Sequence, residues 1–415
     1  MAGDPIRQFL DGHLTLTRRH FVQAGLLSAA AAASINADEQ QQTQLTEVLQ
    51  DLEPWLTEQD EFRDVSRGKP KPHSLPEEKR AEVGLTRATW KLNVTSDPEN
   101  PARILNPLEG DTAFTFDDLM ELAKTNVVRF PKVMTCLNIG CPLGNGIWEG
   151  VPLRDVIWRT QPSENLRRVF YWGYHNDDPE QMFRSSLPVG RILEDLYDLP
   201  PVILCYKLNG DWLTPERGGP VRVVVPEAYG FKSIKWLTNV VLSNLPTAND
   251  TYATQNNDVD SPLKTFCATL TPPGNPKPAE PIPVTGYAQS GISGLSKVQV
   301  WIQPRDEEWS KDDPHFTKAP WKDATLLPPP DAWGGNLPGG RIPQNTRDFD
   351  QSGKPVDWPL RLSKAHWCML HPGLPAGKYV FRCRTIDANG HAQPMPRPFR
   401  KSGHAKIESV RFEVT

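Results

Sequence analysis

Val133-Met-Thr-Cys136-Leu-Asn-Ile-Gly-Cys141-Pro-Leu-Gly-Asn-Gly-Ile-Trp148-Glu-Gly150-Val-Pro-Leu153 decides how this chain is read. It begins as an apolar, strand-like run, and Cys136 sits where that run stops. A loop rich in glycine and proline is expected next, and Trp148 to Ile157 reads as the start of a helix. Free cysteines are usually buried packing residues. A thiol at the mouth of a strand, facing glycines that leave room for close approach, is instead placed to meet a ligand.

At 415 residues the chain is too long for one ordinary core, so two domains with tails are expected. The net charge of −4 comes from nearly balanced signs, which argues against a general nucleic-acid binder and gives no pull toward a membrane surface. The six cysteines contain no Cys-x-x-Cys pair, which speaks against zinc ribbons and covalent haem. The 42 prolines favour extended connections over long helices. Near the start, Thr17-Arg18-Arg19-His20-Phe21-Val22 precedes a short run of small apolar residues. That pattern reads as an export signal of the twin-arginine type, residues 1–37, cleaved between Ala33 and Ala37. It implies a periplasmic protein. The run is too short to span a bilayer, and no other segment suggests a membrane span.

Residues 38–84 read as a polar N-terminal arm. One amphipathic helix is expected from Gln44 to Glu53, ended by Pro54, and an extended stretch from Gly68 to Pro76. Trp90 to Val94 alternates like a strand. Thr115 is a helix N-cap with acids behind it. Asn209-Gly210 between apolar runs signals a tight hairpin. Residues 256–281 read as a linker. Residues 282–415 show short alternating strands at Val298–Ile302, Tyr379–Thr385 and Val410–Val414, the pattern of a β-sandwich. A Pro- and Gly-rich insertion, 303–362, interrupts it.

From Ser186 to Leu237 several elements recur in a fixed order: Ser186-Leu-Pro, Asn209-Gly210, Arg217-Gly-Gly-Pro-Val-Arg222, Val225-Pro, and Lys235-Trp-Leu. With the strand ending in Cys136 and the following Trp-x-Gly-Val-Pro-Leu, this resembles the sulfite oxidase family of molybdenum enzymes. The resemblance covers residues 85–255. It implies an α+β mixed molybdopterin-binding domain, followed by an immunoglobulin-like β-sandwich that dimerises. It implies a molybdenum–molybdopterin cofactor, with Cys136 as the metal ligand. Cys141 competes for that role; Cys136 is preferred because it terminates the strand, as the ligand does in the family. Arg222, Ser233, Ile234 and Lys235 are expected around the pterin phosphate, with Arg222 gripping it bidentately. His175 and Arg217 are expected beside the cofactor, and Tyr252 as the active-site tyrosine. A further Arg- or His-bearing segment has Arg67, His73 and Arg87 as its candidates.

Three departures from the family pattern bear on the substrate. His175 stands where sulfite-oxidising members have Asp, and Arg217 where many have His. The loop after Cys136 lacks their arginine, and Arg217 is the residue that could restore the charge. The implied activity is oxidation of sulfite or a related sulfur oxyanion, with electrons leaving to a separate c-type cytochrome and the chain acting as a homodimer. The alternatives are a reductase of oxidised sulfur compounds, whose family examples lack the second domain, and a molybdopterin-binding protein without turnover. The export reading makes its own prediction. Changing Arg18 and Arg19 together to lysine keeps the charge and retains the protein in the cytoplasm; an undiminished periplasmic yield on fractionation would remove the twin-arginine reading.

Overall fold

The alternation after Trp90 forms β1 (Lys91–Ser96), with Leu92 and Val94 turned into the core. The computed structural model describes residues 45–196, 198–260, 262–394 and 406–415. The signal segment and its arginine pair lie outside the described residues. The helix expected from Gln44 is seen over 45–50. Next come β2 (Phe114–Thr115), β3 (Val128–Thr135), β4 (Pro142–Pro152), β5 (Arg168–Gly173), β6 (Ser185–Pro188), β7 (Ile203–Leu208), β8 (Asp211–Trp212), β9 (Arg222–Val224) and β10 (Leu237–Ser243).

These strands make two five-stranded sheets. One runs β2-β1-β10-β5-β6, with β1 and β10 parallel; the other runs β3-β4-β7-β8, with β9 on β7. Leu204 and Tyr206 face the core shared by the two sheets, while Ile203, Cys205 and Leu208 pack on the opposite side with Phe130, Met134 and Trp148. Covering on both faces explains why Ile203–Leu208 is almost continuously apolar. Thr115 caps the helix Phe116–Asn126: the Asp118 N–H donates to its hydroxyl at 3.2 Å, and the Asp118 carboxylate accepts from the Thr115 N–H at 2.9 Å. Such a cap contributes about 1 kcal/mol. Asn209 and Gly210 take φ of 55° and 88°, the pair of positive values that a two-residue type I′ turn needs between β7 and β8.

The expected loop after Cys136 is mostly strand. Residues 136–141 alone turn, and β4 runs from Pro142 through Trp148 to Pro152, where the short helix Leu153–Ile157 begins. Its glycines serve packing rather than turning. A Cβ at Gly144 would lie 2.5 Å from the Phe62 ring, and one at Gly146 would lie 2.4 Å from Leu208.

The second unit consists of β11 (Phe266–Thr271), β12 (Ile282–Gln289), β13 (Lys297–Pro304), β14 (Lys322–Asp323), β15 (Thr325–Leu326), β16 (Lys364–His371), β17 (Gly377–Ile386) and β18 (Glu408–Val414). Two four-stranded sheets, β11-β12-β16-β15 and β14-β13-β17-β18, enclose one apolar core. The linker expected over 256–281 is therefore corrected: it contains β11, whose Phe266 and Cys267 are buried. Its outer half, Ala268–Thr271, is only partly covered, and threonines next to prolines hid the strand.

The insertion has a structural role. Trp309, Phe316 and Trp321 fold back onto Trp301 of β13, with Arg382 and Arg384 over the rings. Farther on, Arg347 N–H donates to Arg129 C=O at 2.9 Å and Val133 N–H donates to Leu362 C=O at 2.8 Å. Those bonds occupy the free edge of β3, which would otherwise offer unpaired backbone groups. Trp333, Leu337 and Ile342 join Trp55 and Leu56 of the N-terminal arm over Ile147 of β4. Among the described residues no helix is long and apolar enough to cross a membrane.

Lys132 on β3 is fully buried and donates to the Pro226 and Ala228 carbonyls at 2.8 Å each. Burial lowers its pKa to about 7, against about 10.4 in an unfolded chain. Between those values the unfolded chain holds a proton that the folded one has released, so this residue makes stability rise with pH across that window. Lys132→Met flattens that rise, read as urea midpoints across the same range; an unaltered slope would refute it.

Candidate active site

β3 delivers Cys136 to its place. Thr135 at its end donates to Gln289 of β12 at 2.5 Å. The hairpin tip is closed by the Cys136 N–H donating to Cys141 C=O at 3.3 Å and the Gly140 N–H donating to Cys136 C=O at 2.9 Å. Gly140 takes φ of 63°, the left-handed position glycine occupies without strain. Beyond the tip opens a cavity of about 210 Å³.

Eight positions singled out in the sequence line this one cavity: Cys136, His175, Arg217, Arg222, Ser233, Ile234, Lys235 and Tyr252. Cys141 sits at its margin, accepting from Arg63 Nη1 at 3.5 Å. Of the remaining candidates, Arg67 lines the cavity with its guanidinium 4.4 Å from the Phe183 ring centre. His73 stacks on Trp236 behind it, and Arg87 lies elsewhere, over Trp212.

The N-terminal arm, read from sequence as a polar appendage, is a wall of the cavity. Thr57 N–H donates to Asn145 C=O and Arg63 N–H to Leu143 C=O, both at 2.8 Å, which lays the arm along β4. Phe62, Arg63, Ser66 and Arg67 then face the cavity. No periodic pattern announces this segment, because single side chains and backbone bonds hold it.

Cations dominate the lining. Arg222 is buried, with Nη1 donating to Arg217 C=O at 2.8 Å and Nη2 to Ser233 C=O at 2.7 Å. Its fork thus joins two cavity loops, and Nε is buried without a partner. Arg217 donates from Nη1 to Phe62 C=O at 2.9 Å and pairs with Glu216, while its Nε is also buried and unpartnered. Burial lowers the pKa of both guanidiniums, that of Arg222 to about 10. Burial, helped by the neighbouring Arg222 charge, likewise lowers Lys235 to about 7, against the opposing pull of Asp64. Lys235 Nζ donates to Ser66 Oγ at 2.6 Å, Glu216 C=O at 2.7 Å and Asp64 at 3.2 Å. Burial works to raise the Asp64 pKa, but bonds from Lys71 and Ser66 and the Lys235 charge carry it well below the usual carboxylate range.

Tyr252 lies in the short helix Thr251–Thr254, capped by Asp250. Its ring stacks on Phe231 at 4.0 Å, and its hydroxyl donates to Asn138 Oδ1 at 3.1 Å. Burial raises its pKa, partly opposed by Arg67, so the phenol keeps its proton at neutral pH. Asn138, in the hairpin tip, was not singled out from sequence, and only its place two residues after Cys136 pointed to it.

Unpartnered Nε atoms on two buried arginines, a lysine whose charge is costly as it stands, and flat aromatic walls suit a large anionic ligand rich in acceptors. A phosphorylated pterin meets that description. Cys136 at the rim adds the soft sulfur donor that a molybdenum centre requires.

Residues 81–251 match the family model described as oxidoreductase molybdopterin binding domain. Mitochondrial sulfite oxidase of Drosophila melanogaster is 33% identical over 104 residues, covering 25% of this chain and 18% of that protein. Sulfite oxidase of Gallus gallus is 37% identical over 99 residues, covering 23% and 21%. A nitrate reductase [NADPH] of Pichia angusta is 34% identical over 104 residues, covering 25% and 12%. The matched stretch spans about a fifth or less of the length of these relatives. The crystal structure of the sulfane dehydrogenase SoxCD from Paracoccus pantotrophus shares the fold: the TM-score is 0.55 at 15% identity, with 99% of this chain and 97% of that one covered.

The contact between the arm and β4 can be tested directly. Gly144→Ala forces a Cβ into the Phe62 ring. We expect a loss of about 1–3 kcal/mol and faster proteolytic cleavage within residues 57–75. Cleavage at the original rate would show that this contact does not hold the arm.

Proposed function

We propose that the chain is a molybdopterin oxidoreductase of the sulfite oxidase family, takes molybdenum–molybdopterin as its cofactor and oxidises sulfite or a related sulfur oxyanion, with water as the oxygen source; the match of residues 81–251 to the molybdopterin-binding domain supports the first part of that reading. The observation that carries this reading is the cluster of cavity-facing guanidiniums, Arg63, Arg67 and Arg217, in a cavity that Cys136 also lines. Sequence assigned the replacement of the family's missing arginine to Arg217. That residue is already committed to Phe62 and Glu216, so the reading passes to Arg67 and Arg63 of the arm. A sulfur oxyanion needs such a cationic site.

When bound, the cofactor supplies the two-electron oxygen-atom chemistry. In this reading Cys136 ligates the metal as a thiolate. Lys235, with Ser233 and the Ile234 backbone, holds the phosphate, which relieves the cost of burying the ammonium. Arg222 keeps the two loops of that cradle together through the Arg217 and Ser233 carbonyls. Arg67 draws the substrate anion toward Tyr252, whose protonated hydroxyl is held at Asn138 as a hydrogen-bond donor. Phe62 and the arm keep bulk water from that side. His175, partly buried with Nδ1 3.3 Å from Gly173 C=O, stands beside the cofactor position.

The proposal extends to the rest of the assembly. Electrons pass to a separate c-type cytochrome, the chain is exported by the twin-arginine route to the periplasm, and the sandwich is of immunoglobulin-like type and pairs with a second copy. A single-chain mass by light scattering would remove the dimer.

Metal analysis combined with sulfite-dependent cytochrome reduction tests the core of the proposal. Cys136→Ser folds but loses the thiolate–molybdenum bond, read as the sulfur-ligand signature of the metal's spectrum, and the activity, whereas Cys141→Ser retains both. Arg67→Gln raises KM roughly tenfold, about 1.4 kcal/mol, with metal content unchanged. A sulfur-ligand signature that persists in Cys136→Ser and vanishes in Cys141→Ser, or no sulfite-dependent reduction by the loaded wild type, sinks it.

A further inference from the structure

Cys136 and Cys141 face each other across the hairpin. Beyond the last strand pair, Thr135 with Pro142, Cys136 is opposed by two residues: its N–H donates to Cys141 C=O at 3.3 Å and its C=O accepts from Gly140 N–H at 2.9 Å, a bulge with Gly140 at φ 63°. Both thiols are free and only partly buried, whereas the other four cysteines are buried. Directly opposed residues of an antiparallel pair project to the same face. Opposed strand residues joined by a backbone hydrogen bond ordinarily have Cα atoms about 5.5 Å apart, inside the roughly 4.4–6.8 Å that a disulfide spans. Arg63, donating to Cys141 Sγ at 3.5 Å, keeps that sulfur beside the cavity margin.

We propose that Cys136 and Cys141 are a redox pair: in cofactor-free protein they close to a disulfide, which withholds the metal-ligating sulfur until a thiol reductant reopens it. The oxidant is a low-molecular-weight or protein disulfide. The Cys141 thiolate attacks one sulfur of that disulfide and expels a thiolate. The Cys136 thiolate then attacks the Cys141 sulfur of the mixed disulfide and expels the second. Two electrons pass to the oxidant, and the protons of the two protein thiols end on the two released thiols.

This inference rests on the reading of Cys136 as metal ligand, and the test separates the two. Full-length protein made without cofactor is treated with oxidised glutathione and mapped by mass spectrometry without reduction. The peptide holding both cysteines should become lighter by two hydrogens, with two thiols per chain lost. Cys141→Ser should instead carry glutathione on Cys136. Oxidised protein should take up molybdopterin only after dithiothreitol is added, judged by metal content. Separate glutathione adducts on both cysteines of the wild type, with no internal link, overturn the pair and leave the ligand reading intact. An internal link forming equally fast in cofactor-loaded protein keeps the pair and overturns Cys136 as the ligand.

Discussion

A phenylalanine ring lying on bare glycine backbone is the contact on which the cavity depends. Phe62 occupies the space over Gly144 and Gly146 that side chains would otherwise fill. With the ring seated, the Phe62 carbonyl meets Arg217, Asp64 and Ser66 meet Lys235, and Arg67 comes to rest on Phe183. Four segments far apart in the chain are brought together by one close approach that only glycine permits.

The charges inside that wall are held at some cost. Arg217, Arg222 and Lys235 are all pushed toward their neutral forms by burial. Backbone carbonyls of residues 62, 216, 217 and 233 offset part of this penalty without neutralising the charge. Dipoles arranged in this way keep the cations ready for an anion and need no rearrangement when it arrives. Asp64 and Glu216 are carboxylates among them, and Asp64 is itself held ionised by Lys71, Ser66 and Lys235.

Much of this was legible in the sequence, and the failures have physical causes. Cys136, Ser233 and Lys235 were brought to one cavity by motif order, Tyr252 was named for it on looser spacing, and Asn209-Gly210 was read because its turn chemistry is local. The strand after Cys136 was misread because its glycines look like loop residues, although they are there to admit Phe62 and Leu208. The arm was misread because aperiodic polar segments carry no signal of what they pack against. Arg222 was placed on the cavity, but its backbone acceptors were not foreseen: a sequence shows that a buried arginine needs acceptors, and not which ones. β11 was missed because half of it is exposed edge, where burial imposes no alternation.

The clamp on the arm bears on modularity. Trp55 Nε1 donates to Lys364 C=O at 2.6 Å, its ring meets Trp333 edge-on, and Glu53 pairs with Lys364 and His366. Burial raises the Glu53 pKa, but those two partners bring it down to about 2, so this tie stays ionised through the neutral range. Residues 81–251, recognisable by themselves as a unit of ancestry, thus do not complete the cavity alone. Their cofactor-facing wall is borrowed from the segment before them, and that segment is anchored by the domain after them. Any reshuffling of this gene that moved the recognisable unit alone would carry away Cys136 and leave behind the wall that faces it.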